Sequence, residues 1–226
     1  MKVAVCLSGA IKYPEKSLES IKRIYPNDFL KVFIHTWEIE NKKEYGRDSF
    51  SGKMGLYLEM DVLNEYQYED ILIENYNTKR EEFQNIFDTL QFKESNRKDI
   101  GIISMYYSIF KSNQLKSLYE SKNNIIFDRV IRMRFDSDFK GKDLILDENI
   151  YSVQIPMGSD YAGINDQFAI GNSEDMNLYS NVFNKLDTLK DTEYNPERLL
   201  LTYFDRNPVK HGCVHRIDFE VAINNG

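Results

Sequence analysis

Between residues 132 and 138 the chain reads Arg-Met-Arg-Phe-Asp-Ser-Asp. In extended chain, residues of one parity share a face, so Arg132, Arg134, Asp136 and Asp138 line up on one side and Met133 and Phe135 on the other. Burying these ions costs on the order of several kcal/mol each unless they are paired or meet a ligand, so such a strand end marks a candidate site. Two carboxylates two residues apart suit a hard divalent cation, which takes oxygen ligands and bridges to phosphate oxygens. The neighbouring arginines would hold the carboxylates ionised or reach a phosphate. The plain alternative is turn chemistry, in which Asp and Ser bond the local backbone and Arg-x-Arg is a solvated edge.

Other residues invite chemistry less directly. His211, Cys213 and His215 alternate on one strand face, but three ligands from one strand close a tetrahedral zinc site poorly, which favours incidental histidines. Trp37 ends an apolar run and suits stacking on a ring, whereas Tyr106 and Phe110, at helical spacing, read as core. Glu38 to Gly55 is polar, carries Lys42, Lys43 and Arg47, and reads as a long loop, either a solvated one or a flap over a diphosphate. Asn165-Asp166 follows a Gly-rich connection, where an Asn-Asp pair is ordinary turn chemistry, and Glu197 after Pro196 reads as a first-turn helix carboxylate.

The elements that must position these residues follow from periodicity. Lys2 to Leu7 is a nearly continuous apolar run stopped by Ser8-Gly9, the pattern of a strand buried on both faces of a parallel sheet. Pro14 and Glu15 open a helix that Tyr25-Pro26 must end, and Phe29 to Ile34 repeats the strand pattern, completing a β-α-β unit. Tyr68 to Glu74 predicts a third strand, Lys79 to Phe92 a helix, Gly101 to Tyr119 a long helix and Ile125 to Met133 the next strand. A short strand before Pro156 and another over Gln167 to Ile170 come next. Helices start at Ser173-Glu174-Asp175 and Asn195-Pro196-Glu197, and the tail, Val209 to Ile223, alternates like a strand. Ligands of such sheets sit at the carboxyl ends of the strands.

Composition sets the bounds. With 226 residues, 42% hydrophobic and 29% charged, the chain suits one globular α/β domain rather than disorder or a fibre. Net charge is −7, which argues against duplex nucleic acid as a partner. No apolar run approaches the roughly 18 residues of a membrane span, and Ser8, Gly9 and Lys12 interrupt the opening run before it can serve as a signal peptide. Two cysteines, Cys6 and Cys213, make no disulfide framework and fit a reducing cytoplasm. A P-loop and a GxGxxG turn are both missing.

Cys-Leu-Ser-Gly (6–9), Val-Phe-Ile-His-Thr-Trp (32–37), Arg-Met-Arg-Phe-Asp-Ser-Asp (132–138) and Asn-Asp-Gln-Phe-Ala-Ile-Gly (165–171), in that order, resemble the landmarks of small bacterial and viral glycosyltransferase-like proteins with the GT-A fold. The resemblance implies a Rossmann-like mixed central sheet flanked by helices, with a nucleotide-binding half over about 1–138 and an acceptor-side half over about 139–226. It implies transfer of a sugar from a nucleotide-sugar donor to a saccharide or other hydroxyl acceptor. Asp136 and Asp138 would hold Mn²⁺ or Mg²⁺ on the donor diphosphate, supported by Arg134. Ser8 and Gly9 would approach the nucleotide, His35 and Trp37 would border its base or ribose, and Asp166 would be the catalytic carboxylate, ahead of Asp160 and Glu197. His211 or His215 would complete the metal shell. Lys12 stands where such proteins often carry an arginine; it supplies charge to a phosphate without a bidentate fork. The competing reading is a nucleotide-sugar binding module of the same fold without catalysis.

Overall fold

The opening run forms β1 (Lys2–Ser8), and its alternate residues enter two different apolar layers. Val3, Val5 and Leu7 join one layer, Ala4 and Cys6 the other, and all five are essentially inaccessible to solvent. Each such side chain contributes about 1.5–3 kcal/mol through burial if it is as large as Val or Leu, which is why a central strand reads as uninterrupted apolar sequence. The structure, a computed structural model, describes residues 1–38, 60–93, 100–147, 153–208, 214–217 and 221–223.

After β1, Pro14 starts α1 (Pro14–Lys22), followed by β2 (Ile24–Tyr25) and β3 (Phe29–Glu38). A short α2 (Met60–Asn64), β4 (Asp70–Asn75), α3 (Tyr76–Leu90) and α4 (Gly101–Asn123) precede β5 (Arg129–Met133). Next come β6 (Ser137–Asp138), β7 (Leu144–Ile145), β8 (Gln154–Pro156) and β9 (Phe168–Gly171). α5 (Ser173–Tyr179), a 3₁₀ segment (Phe183–Leu189), α6 (Pro196–Arg206), β10 (His215–Ile217) and β11 (Ala222–Ile223) complete the described elements. The starts of α5 and α6 follow from capping. Asn172 and Asn195 accept from the backbone N–H groups of Asp175 and Arg198, and Pro196 needs no donor at its position.

The main sheet runs β10-β8-β9-β5-β1-β3-β4. β5, β1, β3 and β4 are mutually parallel, β9 is antiparallel to both β5 and β8, and β10 is parallel to β8. This is the Rossmann-like mixed sheet, flanked by helices, expected from the sequence. One face packs α4, α5 and α6 through Tyr106, Met176, Leu200 and Tyr203, and the other packs Leu63 and Tyr66 with the flank of α1. Within the first layer Lys116 is fully buried, and its three N–H groups reach Glu120 Oε2 (3.0 Å), Ser173 Oγ (2.6 Å) and Asn177 Oδ1 (2.8 Å). Full satisfaction of the ammonium makes this buried charge tolerable and ties α4 to α5.

Two expectations change. The strand before the Arg-Asp motif begins at Arg129 rather than Ile125, because the end of α4 turns through Ile125, whose N–H reaches the Glu120 carbonyl at 3.1 Å. The tail is not one strand: β10 joins the main sheet, while β11 pairs antiparallel with β6, Ala222 opposite Asp138. The loop expected over 38–55 lies, apart from Glu38, outside the described residues, and so do Lys42, Lys43, Arg47, His211 and Cys213.

Candidate functional site

Register brings the chemistry to one edge of the sheet. Ser8 lies opposite His35, Leu7 opposite Met133, and Met133 opposite Phe168. The exits of β1, β3 and β5 and the entry to β9 therefore meet, and with them Ser8-Gly9, Arg134–Asp138 and Asn165-Asp166. This is the carboxyl edge where α/β sheets bind ligands.

At the end of β1, Ser8 is 4% exposed, and its Oγ has no hydrogen-bond partner among the described residues. A buried hydroxyl left unpaired costs about 1–3 kcal/mol, so its position at this edge points to a ligand or a water. Gly9 follows at φ +107, a conformation L side chains rarely adopt, with open space where a Cβ would stand. Its N–H donates to the His35 carbonyl (3.2 Å), and its carbonyl accepts from Thr36 Oγ1 (2.9 Å), which fixes the turn. Lys12 is half-buried between this turn and α1.

The DxD segment is not the continuous strand its alternation predicts. β5 ends at Met133, and Ser137 N–H closes a turn on the Arg134 carbonyl (3.3 Å), so the shared charged face breaks after Arg132. Arg132, 1% exposed, points into the aromatic layer and donates through Nη1 to the Asp166 carbonyl; its Nε has no partner among the described residues. Arg134 instead folds over Asp136, with Nε to Oδ1 at 2.8 Å and Nη2 to Oδ2 at 2.7 Å. Asp136 is 2% exposed, so this fork supplies the charge that its carboxylate needs away from water. Asp138 is more open: Oδ1 accepts from Lys140 N–H (2.8 Å), and Oδ2 lies 3.6 Å from Lys16 Nζ. Lys16 is held there because buried Ser20 on α1 donates to the Ser137 carbonyl (3.2 Å) and accepts from Phe139 N–H (3.1 Å), pinning α1 to β6. Sequence reasoning missed Lys16, a charged residue of the first turn of α1 that carries no motif of its own.

In kind, two carboxylates suit a divalent cation. As arranged, both oxygens of Asp136 are taken by Arg134, and no group of three or more His, Cys, Asp or Glu able to hold a metal occurs among the described residues. His215 lies on β10, the outermost strand of the sheet, three strands from β5.

His35 and Trp37, expected beside a base or ribose, are interior. His35 is fully buried, Nδ1 2.7 Å from Ser108 Oγ and Nε2 3.0 Å from Glu74 Oε2. Burial holds its imidazole below the usual pKa, partly offset by Glu74, while the His35 hydrogen bond holds the Glu74 carboxyl low. Neutral His35 thus donates from Nε2 to ionised Glu74 and accepts from Ser108. Because Ser108 is fully buried too, this Ser-His-Glu line presents no nucleophile to a substrate. Trp37, 3% exposed, stacks on Tyr107 (5.7 Å) and meets Tyr76 and Phe83 edge-on. The physical reason is that the last residues of β3 are roofed by α3 and α4, which a strand-end position in sequence does not reveal.

Asp166 is 6% exposed, two residues before β9. The loop ahead of it is tightly determined. Gly158, Ser159, Tyr161 and Ala162 all have positive φ, Asn165 Nδ2 donates to the Gly158 carbonyl (2.8 Å), and Ile164 N–H donates to the Glu197 carbonyl (3.0 Å). A Cβ on Gly163 would stand 2.1 Å from that same carbonyl oxygen. Strained backbone persists only where its surroundings over-determine it, and it clusters at functional sites. Glu197, a weaker candidate, is buried at the first turn of α6, and the main-chain carbonyl of Asp160 accepts from Gly163 N–H (2.6 Å).

Fold and site together define a Rossmann-like α/β protein whose charged and orphaned polar groups gather at the carboxyl edge of its parallel strands. The chain belongs to the family of the domain of unknown function DUF7796, whose family model matches residues 59–210 and so takes in Asp136, Asp138 and Asp166 but not Ser8 or Gly9. No curated protein matches the sequence. Among solved structures the chain is similar to mouse xyloside xylosyltransferase 1 in its apo form, at 11% identity and a TM-score of 0.43, over 96% of this chain and 84% of that one. No helix among the described residues is long and apolar enough to cross a membrane.

Proposed function

We propose that this protein is a glycosyltransferase that moves a sugar from a nucleotide-sugar donor to a hydroxyl acceptor. The observation that carries the reading is the meeting, at one sheet edge, of an orphaned Ser8 hydroxyl and an open Gly9 turn with the Arg134–Asp138 turn and Asp166. The ordered motifs of the sequence support it. In this reading Ser8 and Gly9 receive the nucleotide, and Lys12, Lys16 and Arg134 face the diphosphate. Asp136 and Asp138 are the carboxylates for Mn²⁺ or Mg²⁺, which when bound would neutralise charge growing on the departing nucleoside diphosphate. Asp166, on its pinned loop, accepts the acceptor hydroxyl's proton if configuration is inverted. His35 and Trp37 support the β3 exit from within and do not touch the donor.

Binding to the native state alone must raise its stability; at a hundredfold excess over Kd the gain is about 2.7 kcal/mol, or roughly 5–10 °C in Tm for a chain of this size. The test is a thermal-shift panel of UDP-, GDP-, CMP- and dTDP-linked sugars, with and without Mn²⁺, on wild type and on Ser8→Ala and Asp138→Asn. A shift with one donor class, reduced in both variants, is expected; no shift with any donor in folded protein would overturn the reading. The competing binding-only reading draws on one observation, that Asp136 is closed by Arg134. It would be upheld by donor binding without transfer to any acceptor and without donor hydrolysis.

A further inference from the structure

The two carboxylates of the DxD segment already have two cations. Asp136, with almost no access to water, holds the full fork of Arg134, and Asp138 has Lys16 at 3.6 Å. Among the described residues the cluster therefore sets two cations against two carboxylates, and a divalent ion entering it would meet two positive groups as well as two negative ones. The four partners differ in how readily they yield. Asp136 is 3% exposed in its side chain and cannot fall back on solvent, whereas the Arg134 side chain is 33% exposed and sits in a turn rather than in the sheet. Arg134 can leave without opening the core; Asp136 cannot be left without a counter-ion.

From this we infer that Arg134 and a divalent cation are alternative occupants of Asp136. The guanidinium holds the carboxylate until the metal displaces it, and the displaced guanidinium then pairs with the phosphates that arrive with the metal. The inference rests on the donor-site reading above and assigns Arg134 two successive partners within it. Its consequence runs against ordinary expectation for a site residue: removing Arg134 strengthens binding of the bare metal, because a competitor for the same two oxygens is gone, while weakening binding of the diphosphate.

The decisive probe is Mn²⁺ alone, titrated calorimetrically into wild type, Arg134→Gln, Arg134→Lys and the double variant Arg134→Gln/Asp136→Asn, each verified as folded by its thermal melt. Arg134→Gln should bind Mn²⁺ at least about tenfold more tightly than wild type, with Arg134→Lys between them because a point charge competes without the fork. Mn²⁺ should also raise the Tm of Arg134→Gln more than that of wild type, and both gains should vanish in the double variant. Equal or weaker Mn²⁺ binding by Arg134→Gln, no binding by either protein, or a gain that survives Asp136→Asn would each overturn the inference. No nucleotide is present in this titration, so its failure leaves the donor panel standing. A failed donor panel with tighter Mn²⁺ binding in Arg134→Gln would retire the donor-site reading and keep the exchange.

Discussion

The guanidinium of Arg132 on β5 donates to the main-chain carbonyl of Asp166 on the loop entering β9. Two segments 34 residues apart in sequence are thereby joined at the edge where the candidate site forms. The same guanidinium opposes the upward push of burial, Asp166, Tyr179 and Glu197 on the Tyr106 phenol, and likewise that of burial and Asp166 on Tyr179.

Replacement of Arg132 separates packing from charge. Arg132→Ala leaves both a cavity and an unpaired Asp166 carbonyl and should cost about 3 kcal/mol in denaturant unfolding. Arg132→Met refills most of the volume in an apolar surround and should cost less than about 2 kcal/mol, since a buried ion is itself expensive. Equal losses in the two variants would show that the guanidinium's place is set by something other than this bond and this packing.

Two glycines should fail for different reasons. Gly163→Ala drives a methyl into the Glu197 backbone, which is not a flexible side chain, and should cost more than about 2 kcal/mol by prising the loop from α6. Gly9→Ala meets nothing but must hold φ +107, so a penalty of about 1–2 kcal/mol is expected, with loss of ligand-induced stabilisation. Chemical unfolding of both proteins, with the reverse ranking, would contradict the close approach of Gly163 to α6.

His35 should make stability depend on mild acid. Its pKa is lowered in the folded protein, so below about pH 6.5 the unfolded chain takes up a proton that the native one resists, and stability is lost as pH falls. Glu74, also lowered, adds a loss of the same sign below about pH 4.5. His35→Gln should melt lower at pH 7.5 but show a flatter decline in Tm between pH 7.5 and 5.5. An unchanged slope in that window would mean His35 titrates alike in both states.

Cys6 is buried at the middle of β1, and burial pushes its thiol up to about 12. The thiolate is the reactive species, so in a Cys213→Ser background no thiol should react with a disulfide reagent at pH 8 until denaturant is added. Prompt reaction of the native protein would refute the burial of this strand.

How much was legible varies by element, and the reason is physical. β1 and β3 could be read because burial on both faces of a parallel sheet leaves only apolar residues in a row. α5 and α6 could be read because Asn172 and Asn195-Pro196 are local solutions to the unpaired N–H groups of a helix start. The Arg-Asp segment was legible as residues but not as geometry, because alternation assumes a strand and a turn of three residues cancels it.

Sequence by itself determined what depends on neighbours along the chain: the buried strands, the helix starts, the β-α-β opening and the presence of paired carboxylates after β5. Tertiary structure alone decided what depends on neighbours across space. It put His35 and Trp37 under α3 and α4, left the Ser8 hydroxyl unpaired, brought Lys16 to Asp138 and turned Arg134 back onto Asp136. The partners of His35, Trp37 and Lys16 are supplied by distant segments, so only the packing of those elements decides these placements.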